Sequence, residues 1–93
     1  MVHEAGLAQQ VIDTCASELR ARGAKSATRV GLRIGALSAV DPDALIFCFD
    51  ALKPNTPLHS ASLQIEWRAA SESFQEATAL NLRFLEFDTE SDA

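Results

Sequence analysis

Thr28-Arg29-Val30-Gly31-Leu32-Arg33-Ile34-Gly35-Ala36-Leu37, followed shortly by Asp41-Pro42-Asp43, decides the fold. Val30, Leu32, Ile34 and Ala36 alternate with Arg29, Gly31, Arg33 and Gly35. Period two is that of a strand with one buried face, and the glycines keep its other side small. Asp41 then offers a capping carboxylate, Pro42 suits the first helical position, and Asp43 places a negative charge at the positive end of the helix dipole. A helix is expected over residues 42–52, burying Leu45, Cys48, Phe49 and Leu52, and ended by the turn Lys53-Pro54-Asn55-Thr56-Pro57.

Upstream, Leu7, Val11, Cys15 and Leu19 recur at every fourth position, with Ile12 and Ala16 widening the same stripe. This spacing predicts an amphipathic helix over residues 4–22, with Arg20 and Arg22 at its negative end and Gly23 as the left-handed stop. Downstream, Leu63, Ile65 and Trp67 alternate with Gln64, Glu66 and Arg68, which marks a second strand. A third covers residues 80–87, where the alternation of Leu80 and Leu82 slips at Phe84-Leu85 before Phe87 resumes it; a bulge or a strand covered on both faces is expected there. Residues 69–79 are polar and alanine-rich, with Ser73 and Glu76 at capping-box spacing, and read as a short connector. The order helix, strand, helix, strand, strand predicts an α+β two-layer sandwich, two helices packed on one face of a roughly three-stranded sheet.

The chain has 93 residues, 47% hydrophobic and 23% charged, which suits a single domain over residues 1–93. A net charge of −5 and basic residues scattered from Arg20 to Arg83 argue against nucleic acid as a partner. No stretch is long and apolar enough for a membrane span, and the start Met1-Val2-His3-Glu4 lacks the pattern of a secretory signal, so a cytoplasmic location is expected. Cys15 and Cys48 stand far apart with no CxxC, which leaves no structural zinc knuckle and no disulfide framework, and both read as core residues. No Ser/His/Asp arrangement or phosphate-binding loop is present, so no catalytic machinery is visible.

Two places could hold a metal. A free amine, backbone amides and an early histidine can close chelate rings around nickel(II) or copper(II), which makes His3 and the adjacent Glu4 candidates, although an early histidine is more simply an exposed polar residue. Asp41 is most simply a helix cap, but a carboxylate has about four acceptor sites and can cap with one oxygen while the other meets a cation. His59, at the exit of a Pro-rich turn, reads as an exposed residue.

Met1-Val2-His3-Glu4 with Leu7-Ala8-Gln9, then the run from Val30 to Leu45 and Phe47-Cys48-Phe49-Asp50, resembles the HypA/HybF family of nickel metallochaperones of nickel-iron hydrogenase maturation. The resemblance continues through Leu63-Gln64-Ile65-Glu66 and residues 80–87. It implies a nickel(II) site formed by His3, Glu4 and Asp41 with the N-terminal amine of Met1 or Val2, and delivery with a HypB-type GTPase to the hydrogenase large subunit, some members also serving urease. It implies a carrier and not an enzyme. Two departures matter. The family's zinc domain, with its paired CxxC motifs, is replaced here by residues 69–79, so no structural zinc is expected. Val2 moves the histidine from second to third position, which removal of Met1 would restore. A zinc-less adaptor that binds maturation partners without nickel is the alternative, and the apolar closing strand suits pairing with a second copy as a homodimer.

Overall fold

The structure, a computed structural model, describes residues 3–35, 39–68 and 80–87. Its elements follow in the order α1 (Glu4–Ala21), β1 (Ala27–Gly35), α2 (Pro42–Leu52), β2 (Ser62–Arg68) and β3 (Leu80–Phe87). The expected connector over residues 69–79, the end of the first expected strand at Ala36 and Leu37, and Met1 and Val2 lie outside the described residues.

α1 buries Val11, Ile12, Cys15 and Leu19 of the expected stripe, together with Ala8, while Leu7 and Ala16 are half-buried against the core. It closes as a helix with a left-handed residue past its end should: Gly23 stands at φ 69°, its N–H donates to the Arg20 carbonyl, and the Ala24 N–H reaches back to Leu19 at 2.9 Å. α2 begins where the Asp-Pro-Asp signal put it and buries Leu45 and Phe49. Cys48 is only half-buried, and Leu52, expected inside, is 38% exposed. Leu52 is the last helical residue, at the end of the stripe through Leu45 and Phe49. The core seat comes instead from the turn that follows, where Leu58 and Ala61 are fully buried. Lys53 and Thr56 hold that turn, Lys53 Nζ donating to the Ala61 carbonyl and Thr56 Oγ1 to the Lys53 carbonyl.

The sheet is mixed, in the order β2-β1-β3. β1 and β2 run parallel, with Val30 beside Leu63 and Leu32 beside Ile65, while β1 and β3 run antiparallel. Parallel neighbours need a crossover, and α2 is carried by it. The phase slip foreseen near Phe84 is a bulge: Gly31 pairs with Phe84 and Leu32 with Leu82, so Arg83 has no partner in the ladder. Both helices cover the face that carries Val30, Leu32 and Ile34, and the core among the described residues contains no buried polar or charged side chain. On the opposite face Arg29 pairs with Glu86 and lies 5.2 Å from the Phe84 ring centre, and Arg33 reaches Glu66 at 3.4 Å. No helix among the described residues is long and apolar enough to cross a membrane.

Candidate metal site

The starts of the two helices meet. Asp41 is the N-cap of α2, and its Oδ1 accepts the N–H groups of Asp43 at 3.0 Å and Ala44 at 3.2 Å. Ala39 precedes it at φ 61°, a left-handed conformation that turns the chain from the sheet into the cap. One oxygen of Asp41 is therefore committed to the helix, and Oδ2 stays clear of it. Glu4 opens α1, and its Oε2 accepts the backbone N–H of Asp41 at 3.4 Å, across 37 residues of sequence. The Glu4 carboxylate is thereby held against the backbone of Asp41, and Asp43 adds a further negative charge in the first turn of α2. His3 is the N-cap of α1; its carbonyl accepts from Leu7, and its exposed imidazole makes no capping hydrogen bond.

This arrangement determines what can bind. Each helix start presents the positive end of a macrodipole, which repels a cation, and Glu4, Asp41 and Asp43 offset that field. A divalent ion here would be held by few protein groups against an unfavourable dipole and close to water, which favours release over storage. Among the described residues no three His, Cys, Asp or Glu side chains are grouped closely enough to hold a metal. Glu4 and Asp41 are brought together, and His3 is adjacent in sequence without completing such a group.

The other candidates stand apart from it. His59 is exposed, with Nδ1 2.8 Å from Ser60 Oγ. Cys15 is buried at the floor of an open groove of about 230 Å³ between α1 and β3, whose walls include Leu7, Val11, Leu32 and Leu82. Burial, with a smaller push from Glu18, raises its thiol to about 11, which makes it a core group and a poor nucleophile. Sequence reasoning missed this groove because it lies between elements far apart in the chain, and it missed the bond from Asp41 to Glu4 for the same reason.

Residues 2–77 match the family model described as hydrogenase/urease nickel incorporation, metallochaperone, hypA. Among curated proteins the chain is similar to the hydrogenase maturation factor HypA of Rhizobium leguminosarum bv. viciae, 41% identical over 73 residues that cover 78% of this chain and 64% of the relative. The HypA of Aeromonas hydrophila is 38% identical over 69 residues, covering 74% of this chain and 61% of its own length. The chain thus spans about three-fifths of the curated relatives it matches. Among solved structures, the solution structure of the Ni metallochaperone HypA from Helicobacter pylori superposes with a TM-score of 0.84 over 96% of this chain and 100% of that one, at 17% identity, a likeness of fold.

Proposed function

The chain belongs to the HypA family of hydrogenase/urease nickel-incorporation metallochaperones, and from that premise we propose that it carries nickel(II) as cargo during the maturation of nickel-iron hydrogenase. His3, Glu4 and Asp41 are the protein side chains we assign to the ion, with the amine and amides that precede His3 completing a nitrogen-rich set. The observation that carries this reading is the meeting of Glu4 with Asp41 at two helix starts, which gives a cation its charge partners at the one place where an exposed imidazole is also close in sequence. The protein acts as a carrier and does no covalent chemistry on a substrate. A HypB-type GTPase and the hydrogenase large subunit are the partners, and the cytoplasm is the compartment. The outer edge of β3 is the surface we assign to self-association, since β3 ends the sheet order. No observation favours the adaptor alternative.

Calorimetry with nickel(II) tests the site. His3→Ala is expected to lower affinity about tenfold or more, as loss of a metal-site group usually does. Asp41→Asn separates ligand from cap: asparagine caps as well as aspartate, so the variant should keep its melting temperature while binding nickel more weakly. Asp41→Ala should lose both. Binding should weaken as pH falls, because protons compete for the same lone pairs. A parent that binds no nickel, or full affinity in His3→Ala and Asp41→Asn, would remove the assignment.

A further inference from the structure

Asp41 forms one half of a reciprocal arrangement. Its Oδ1 takes the N–H groups of Asp43 and Ala44, but its own backbone N–H needs an acceptor as well. In a capping box that acceptor is a Glu or Gln three residues on, reaching back from the first turn of the same helix. Here the position is Ala44, whose side chain can accept nothing. The acceptor comes instead from α1, where Glu4 Oε2 lies 3.4 Å from the Asp41 nitrogen. Glu4 is the first residue of its helix, and its side chain serves the other one. Both first turns are closed by their own backbone, the Leu7 N–H meeting the His3 carbonyl at 3.1 Å and the Leu45 N–H the Asp41 carbonyl at 3.0 Å. The capping box of α2 is thus completed from a second helix, and the bond that completes it joins two ordered ends.

Resting on the nickel-carrier reading, we propose that Glu4, in addition to offering the ion a carboxylate, is the positioning residue of the metal site: a clasp that sets the start of α1 against Asp41. Asp41 is tied on two sides, through Oδ1 to its own helix and through its N–H to Glu4, which leaves Oδ2 little freedom before any ion arrives. The nitrogen donors, His3 and the groups before it, stand at the start of α1. Their offset from Oδ2 is therefore decided by how that start meets α2. At 3.4 Å the bond is long and of modest energy, so it adds little to global stability. What it supplies is register. A site with few protein groups gains affinity when those groups are ordered beforehand, because less freedom is lost on binding. A carboxylate suits both tasks, since one oxygen can hold the N–H while the other remains available to a cation.

The test compares the parent with Glu4→Gln, Glu4→Ala and the double variant Glu4→Ala/Ala44→Gln, each as the full chain. Solvent exchange of the Asp41 amide is followed by NMR without metal, and nickel(II) affinity is measured by calorimetry. In Glu4→Ala the amide should exchange about five- to tenfold faster than in the parent, the worth of one ordinary hydrogen bond. Glutamine still accepts but without charge, so Glu4→Gln should fall between them. Nickel affinity should follow the same order, dropping about tenfold or more in Glu4→Ala, as loss of a group that orients metal ligands does, and less in Glu4→Gln. In the double variant the new side chain at position 44 closes the capping box from within α2. Protection of the amide should then return while nickel affinity stays low, because α1 is still unclasped. The proposal is overturned if the Asp41 amide exchanges equally in parent and Glu4→Ala, or if Glu4→Gln loses as much nickel affinity as Glu4→Ala. It is overturned equally if Ala44→Gln restores that affinity, which would make Glu4 a cap for α2 and nothing more. A parent that protects the amide through Glu4 but takes up no nickel would sink the carrier reading and leave the clasp between the helices standing.

Discussion

Gly31 has no side chain, and the Phe84 ring fills the place of one: a Cβ built there would sit 2.1 Å from the ring. Arg29 lies over that ring, 5.2 Å from its centre, and is paired in turn with Glu86, which limits the ring's freedom to move aside. Gly31→Ala should therefore destabilise the fold by about 1–3 kcal/mol, the usual cost of overpacking, and a urea titration would show it as a lower midpoint at constant slope. Unchanged stability would mean that Phe84 does not rest on β1 in solution. Cys15 gives a second prediction at this scale. Its thiol moves from 9.0 to about 11 on folding because burial disfavours the thiolate. The folded state thus holds the proton more tightly, so this contribution is complete below about 9.0 and is lost as pH rises through about 11. Melting temperatures should fall over that alkaline window, and Cys15→Ala should flatten the fall relative to the parent. Equal slopes in both proteins would place the titration elsewhere.

At the level of elements, legibility depended on whether a signal was local. The fourfold apolar spacing with Gly23 and the Asp41-Pro42-Asp43 start are both local, and both helices begin where they were read. β1 was readable from its alternation, and the bulge in β3 from its broken phase, displaced by one residue to Arg83 because the ladder absorbs the extra residue just before Phe84. Leu52 was misread because periodicity says which side of a helix a residue occupies and not where the opposing layer ends. The parallel pairing of β1 with β2 was not legible, since nothing inside either strand names its neighbour. The site divides in the same way. The capping role of Asp41 was visible in three consecutive residues, whereas the acceptance of its N–H by Glu4 depends on how α1 packs on α2.

For the whole molecule, the decisive relation is between core and metal. The buried cluster runs through α1, β1, α2, the turn after it and β2, and it consists of apolar side chains alone. His3, Glu4 and Asp41 lie outside that cluster, none of them buried. Folding should therefore not wait for nickel, in contrast to small domains whose metal replaces a core. Treatment with a chelator is expected to leave the far-UV spectrum and the melting temperature of the purified protein unchanged. Added nickel should still stabilise it, because any ligand that binds only the folded state does so by mass action. At a free concentration of 100 times Kd the gain is about 2.7 kcal/mol, which for a domain of this size corresponds to a rise of roughly 10–20 °C. The rise should shrink markedly in His3→Ala, which removes a ligand without touching the core. Unfolding on chelation would show that the metal organises the core, and an equal rise in parent and His3→Ala would show that nickel binds at a site other than the meeting point of the two helix starts.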